Sequence, residues 1–331
     1  MIERTLGAGG PAVSALGLGC MAMSGVYGAS DDAESVATIH AALDAGITLL
    51  DTGDFYGMGH NELLIRDALR GRRREDVVLS VKFGGLRGPD NRWGGMDSRP
   101  AAMWNFLAYT LTRLGTDYVD VYRPARVDPD VPIEETVGAI ADAIDKGYVR
   151  MLGLSEAGAD TIRRAHAVHP VADIQIEYSL MSRGLEDAIL PACRELGIAV
   201  TAYGVLSRGL LSGHWSPDRA VEAGDFRAHA PRFAAGNLDL NLGLVDALRD
   251  VAEAQGATVA QAAIAWVLSR GDDVIPLVGS RRRDQLAEAL GALVLELTPD
   301  DLAAIEDAVP PGAAAGTRYP GQGMAGLDSE R

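Results

Sequence analysis

Short apolar runs recur along the chain, separated by longer stretches in which apolar positions return every three or four residues. The runs are Leu16–Gly19, Thr48–Asp51, Val77–Lys82, Tyr118–Tyr122, Met151–Ser155, Ala172–Gln175, Ile198–Tyr203 and Val274–Val278. Most place Val, Ile or Leu at consecutive positions, not in alternation, which suits strands covered on both faces of a parallel sheet. The stretches between them have helical spacing and helical ends. Asp32–Ala45 has Ser30 or Asp31 available as N-cap and Gly46 just past its last turn. Glu134–Asp145 has Pro132 just before it and Gly147 after it. Strands alternating with helices in this number predict an α/β fold, a (β/α)8 barrel of the TIM type. A doubly wound sheet is the weaker reading, because Gly17-Leu18-Gly19 lacks the third glycine of a dinucleotide fingerprint.

Three segments lie outside this alternation. Glu3–Leu6 and Ala12–Leu16 flank Gly7-Ala8-Gly9-Gly10, which predicts a β-hairpin capping the bottom of the barrel. Gly213–Asn237 is polar and punctuated by Gly and Pro, and is expected to be a long, functional loop after the seventh strand. The tail 310–331 is rich in Gly, Pro and Ala, and is either mobile or folded over the barrel mouth. No linker or composition shift divides the chain, so residues 1–331 are expected to form one domain.

Net charge is −16, which argues against a nucleic-acid partner but leaves room for an anionic ligand on a local basic patch. Cys20 and Cys193 have no metal-ligand spacing and read as reduced, buried thiols. No metal site is expected. The first residues lack a signal pattern, and no apolar run approaches the roughly 20 residues that span a bilayer. The expectation is a cytoplasmic protein with no membrane partner. Its oligomeric state is not readable.

In a barrel of this kind, chemistry sits on the loops that follow the C-terminal ends of the strands. The second strand delivers Asp51 and then Tyr56; the third delivers Lys82; the fifth, Ser155; the sixth, Gln175 and Tyr178; the seventh, Tyr203. The eighth gives Gly279 and then Arg281-Arg282-Arg283. Asp51, Tyr56 and Lys82 make a coherent trio. A phenol with a pKa near 10 is too weak an acid at neutrality, an ammonium nearby lowers that pKa, and a carboxylate can pair with the ammonium. A glycine that ends the last strand and opens a helix is an anion site, and the arginines suit a 2′-phosphate.

Several blocks in order resemble the aldo-keto reductases, from the branch that includes the potassium-channel β subunits and bacterial members. They are Leu50-Asp51-Thr52-Gly53-Asp54-Phe55-Tyr56-Gly57, Leu79-Ser80-Val81-Lys82-Phe83-Gly84, Leu114-Gly115-Thr116-Asp117-Tyr118-Val119-Asp120, Gly153-Leu154-Ser155, Gln175-Ile176-Glu177-Tyr178 and Leu206-Ser207-Arg208-Gly209-Leu210. The resemblance implies an NADP(H)-dependent oxidoreductase acting on a small carbonyl or alcohol, with Asp51, Tyr56 and Lys82 catalytic. It implies that Ser155 and Gln175 hold the nicotinamide carboxamide and Tyr203 stacks on its ring. Gly204, Leu206, Ser207 and Gly209 would line the pyrophosphate path; Gly279, Arg281, Gln285 and Glu288 would hold the adenosine end.

Two positions depart: Ala289 follows Glu288 where the family often has an adenine-contacting Asn, and the other lies at the fourth strand. The family's fourth-strand motif Tyr-x-x-His-Arg-x-Asp aligns with Tyr122-Arg123-Pro124-Ala125-Arg126-Val127-Asp128, so alanine stands where a catalytic histidine is usual. His60, His214, Arg123 and Arg126 are the nearby alternatives, with Arg126 expected in a structural salt bridge. Tyr27, Trp93 and Ala125 are candidate substrate-pocket positions. Two functions follow: a reductase that is slow or redirected, and a nicotinamide-binding sensor with weak residual activity.

Overall fold

The computed structural model describes every residue except Asn91, Ala220, Glu222 and Ala223. Three of these fall in the loop expected over Gly213–Asn237, so that part of the expectation lies outside the described residues.

The chain opens with β1 (Glu3–Thr5) and β2 (Ala12–Ser14), an antiparallel pair. Next come β3 (Gly17–Gly19), β4 (Leu49–Gly53) and β5 (Val78–Phe83). A second antiparallel hairpin follows, β6 (Gly85–Arg87) and β7 (Trp93–Met96). The remaining strands are β8 (Val119–Pro124), β9 (Val149–Ser155), β10 (Val171–Glu177), β11 (Ala199–Tyr203) and β12 (Val274–Gly279). β3, β4, β5, β8, β9, β10, β11 and β12 form a closed barrel in chain order, each parallel to its neighbours. The eight predicted strands are these eight.

The first hairpin plugs the bottom of this barrel. Leu6 and Val13 join Leu49, Val121, Ala199, Ile275 and Leu277 in an apolar cluster. Burying each aliphatic side chain contributes about 1.5–3 kcal/mol. The tight turn needs glycine: Gly7 has φ +74°, and a Cβ there would come within 2.2 Å of the Ala172 carbonyl oxygen. Ala8 donates to the Gly197 carbonyl at 2.7 Å, and Arg4 donates to the carbonyls of Leu268, at 2.7 Å, and Val274. The larger core lies between the strands and the surrounding helices. Asp31 caps the helix Asp32–Asp44 by accepting from the Glu34 amide at 2.7 Å.

Above its apolar floor the barrel interior turns polar, and that layer supports the site. Arg123 on β8 is fully buried, pairs with Asp173 of β10 at 2.9 Å and donates to Ser80 of β5 at 2.7 Å. The tail is not free. Residues 315–331 cross the top, held by Asn241, Glu156 and Glu177. Among the described residues, no helix is long and apolar enough to cross a membrane.

Candidate active site

Asp51, third residue of β4, and Lys82, fifth of β5, come from neighbouring strands, with Asp51 opposite Ser80 and Lys82 opposite Gly53, so the two side chains meet on the diagonal. Lys82 Nζ donates to Asp51 Oδ1 at 2.5 Å and to Gln175 Oε1 at 2.7 Å. Gln175 Nε2 closes the ring on Asp51 Oδ2 at 2.7 Å, and Ser80 Oγ donates to the same oxygen at 3.0 Å. All four side chains are buried. A buried ion pair is tolerated when its remaining polar atoms are satisfied, which Gln175 and Ser80 do here. Gln175, expected to hold a carboxamide, is thus also bonded to the Lys82–Asp51 pair.

Tyr56 sits in the loop after β4 with its ring 5.2 Å from Lys82 Nζ. It is 8 % exposed. Burial, then the charge of Asp51, push its phenol well above the ordinary 10.0, and the charge of Arg126 pulls the other way. Burial likewise lowers the Lys82 ammonium, opposed by Asp51. The sequence reading had Lys82 lowering the tyrosine. In the structure the Lys82 ammonium is bonded to Asp51 and Gln175, and Arg126 is the leading cation that favours the phenolate.

Phe55 packs edge-on against Tyr56 at 4.9 Å and against Trp93 at 6.0 Å, so the second hairpin brings Trp93 beside the site, half exposed. Ala125, just after β8, is fully buried, its amide donating to the Phe83 carbonyl at 2.8 Å. Neither histidine replaces the missing one. His60 bonds Ser24 and Asp32, and His214 is an exposed partner of Glu288. Arg126 forms no salt bridge among the described residues, against expectation. It donates to the Ala125 carbonyl at 2.6 Å and the Tyr319 hydroxyl at 3.2 Å.

Around the rim, Ser155 Oγ is buried and without a partner. Tyr203 donates to Glu156 Oε1 at 2.7 Å and meets the Tyr319 hydroxyl at 3.1 Å. Burial would raise the Glu156 carboxyl, but the hydrogen bonds and charge of Arg318 outweigh it and hold the group at about 2. Ser207 and Arg208 hold φ of 46° and 58°, and Glu156 one of 52°. Non-glycine residues in this region carry strain of about 1–3 kcal/mol and concentrate at functional sites. Gly204 and Gly209 share the left-handed region, and Leu206 opens the turn that contains Ser207 and Gly209. At the far end, Arg281 donates to the carbonyls of Tyr27, at 3.0 Å, and Ala29, at 2.9 Å, and its amide donates to Gln285 at 3.3 Å. Arg282 pairs with Asp284, and Arg283 with Glu34. A Cβ at Gly279 would meet nothing nearer than the Gly19 carbonyl oxygen at 4.0 Å.

Sequence reasoning missed Glu156, Arg318, Tyr319 and the Arg123–Asp173 pair. Only Glu156 had a readable signal, since it directly follows Ser155 at a strand end.

The model of the Aldo/keto reductase family matches residues 15–310. A probable aldo-keto reductase of Glycine max is 42% identical over 317 residues, covering 95% of this chain and 90% of the relative. A glycerol dehydrogenase of Gluconobacter oxydans superposes with a TM-score of 0.83 at 31% identity, covering 92% of this chain and 94% of the other. An aldo/keto reductase of Klebsiella pneumoniae, solved with NADP and acetate, gives a TM-score of 0.73 at 28% identity, covering 96% and 99%.

Proposed function

The chain belongs to the aldo/keto reductase family, and we propose that it is an NADP(H)-dependent oxidoreductase that interconverts a carbonyl and an alcohol, with Tyr56 as proton donor. The observation that carries this reading is the buried Lys82–Asp51 pair directly beneath the Tyr56 ring, at the end of the barrel where such folds do chemistry.

The residues present fit a nicotinamide dinucleotide. Ser155 Oγ is a buried polar atom without a partner, and an amide group would satisfy it. Tyr203 offers a ring beside it, and Gly279 leaves open space at the end of β12. When bound, the dinucleotide supplies or accepts hydride. Tyr56 then gives its proton to the carbonyl oxygen, and Asp51 and Lys82 set the field in which the phenol ionises. Tyr27 and Trp93 are assigned to the walls of the substrate space.

Tyr56→Phe tests the assignment, because it removes the proton and keeps the ring. Loss of one acid typically costs about 10²–10⁴ in rate. Reduction of a small aldehyde, followed by NADPH absorbance, should fall by that much while NADPH affinity holds. Full activity in the variant rules Tyr56 out. A second reading, a cofactor-binding sensor with weak turnover, is favoured by Ala125 alone; slow turnover across a panel of aldehydes, ketones and quinones supports it.

A further inference from the structure

Reduction builds negative charge on the carbonyl oxygen, and that oxygen has lone pairs for two donors. Tyr56 supplies one donor, and Ala125, in the bend after β8, supplies none. We propose that Arg126 is the second donor: its guanidinium binds the substrate oxygen beside Tyr56 and stabilises the charge that develops there. The proposal rests on the reductase reading above.

Four observations lead to it. The guanidinium has five N–H groups, and its bonds to Ala125 and Tyr319 use two of them. The neighbouring arginines at this end of the barrel each have a carboxylate partner: Arg208 with Glu177 at 3.1 Å, Arg232 with Glu177 at 3.4 Å, Arg318 with Glu156 at 2.8 Å, and Arg123 with Asp173 at 2.9 Å. Arg126 has none among the described residues, and Glu156, whose charge reaches it, is already held in two bonds by Arg318. A half-buried cation without a counter-ion has donors to spare for an anionic or electron-rich ligand atom.

The other two observations concern direction. The Arg126 guanidinium donates to the Tyr319 hydroxyl at 3.2 Å, which in turn meets the Tyr203 hydroxyl at 3.1 Å, and its charge favours the Tyr56 phenolate. It therefore points across the opening between β8 and β11. Lys82, the other cation within reach of Tyr56, has its ammonium committed to Asp51 and Gln175.

The proton balance is simple. Hydride reaches the carbonyl carbon, the Tyr56 proton reaches the oxygen, and Arg126 keeps its own protons while holding that oxygen. A guanidinium stays charged at every pH of interest, so it acts as a fixed donor and not as an acid.

The test compares wild type, Arg126→Met and Arg126→Lys, all loaded with NADPH. Three quantities are measured: kcat and KM for butanal, affinity for acetate by quenching of bound-NADPH fluorescence, and rescue by millimolar guanidinium. Arg126→Met should lose about 10²-fold in kcat/KM, mostly in kcat, the usual scale for removing one positioned donor. Acetate, a carboxylate mimic of the developing oxyanion, should bind at least about tenfold more weakly. Guanidinium should restore part of the Arg126→Met rate and leave wild type unchanged, and Arg126→Lys should fall between. A merely structural arginine would not respond to guanidinium. Losses that track NADPH affinity or the thermal midpoint overturn the proposal, as do turnover and acetate affinity within threefold of wild type. If wild type does not reduce butanal, the reductase reading is what fails, and acetate binding still decides Arg126. A wild type that neither turns over nor binds acetate overturns both.

Discussion

Asp54, two residues before Tyr56, shows how one side chain near the site sets a pH dependence. Its carboxyl is buried, with Oδ1 unpartnered and Oδ2 accepting from the Gly84 amide at 3.4 Å. Burial, then the charge of Glu62, raise it from 3.8 to about 7; Gly84, Arg113 and the Phe55 amide resist. The folded chain therefore keeps a proton that the unfolded chain has already lost. The stabilising effect is complete below 3.8 and is lost as pH rises toward about 7. Stability should fall across that window with a slope approaching roughly 1.4 kcal/mol per pH unit from this group. Glu62, also raised, adds in the same direction, while Glu156, held at about 2, acts only at lower pH. Asp54→Asn mimics the protonated form at every pH. Urea midpoints between about pH 5 and 8 should show a flatter slope and a more stable variant at the alkaline end. An unchanged slope would mean that Asp54 ionises freely in the folded protein.

At the scale of elements, the tail is held by one ion pair more than by apolar packing. Arg318 is 7% exposed and binds Glu156 in two bonds, 3.0 and 2.8 Å, with Glu330 closing over it. Removing one partner of a buried pair typically costs about 3–5 kcal/mol, because the other charge is left stranded. Here the tail can lift, so the loss should appear locally. Arg318→Ala should make residues 310–331 sensitive to protease and fast in amide exchange while the barrel midpoint moves little. A variant tail as protected as that of wild type would show that other contacts seat it. This element also marks the limit of sequence reading. The barrel strands were legible because buried parallel strands are continuous apolar runs, Asp51 and Lys82 because they end such runs, and Tyr56 because it follows one within the Leu50–Glu62 block. The tail allowed two readings, since Gly, Pro and Ala carry no periodicity, and its anchor is a contact between residues 162 positions apart. The second hairpin escaped for a similar reason: Trp93-Gly94-Gly95-Met96 has no strand pattern and is held by pairing with Gly85–Arg87. The Tyr56 environment depends on Arg126 from the loop after β8, a proximity that linear spacing does not encode.

For the whole molecule, a chain of net charge −16 must hold a cofactor that is itself an anion. The cations for that task are concentrated at one end. Arg281 is engaged with the loop carbonyls of Tyr27 and Ala29. Arg282 and Arg283 pair only with exposed or partly exposed carboxylates, Asp284 and Glu34. Such surface pairs contribute about 0–1 kcal/mol, so a 2′-phosphate can displace them at small cost. NADPH should therefore bind at least about tenfold more tightly than NADH, since a charge-assisted bond to phosphate is worth about 1.5–3 kcal/mol. Cofactor that binds only the folded chain stabilises it by RT ln(1 + [L]/Kd), so at equal concentration NADPH should raise the thermal midpoint more than NADH. The gap should narrow with added salt, because exposed charges are screened over about 10 Å at 0.1 M. Arg282→Ala/Arg283→Ala should lower NADPH affinity about tenfold and leave NADH affinity unchanged, because NADH has no group for these residues to hold. Arg281 is spared in this variant, since its removal would also loosen the Tyr27 loop. Equal affinities for the two cofactors in wild type would remove the 2′-phosphate role from this cluster, and a parallel loss for both would move these arginines to the pyrophosphate.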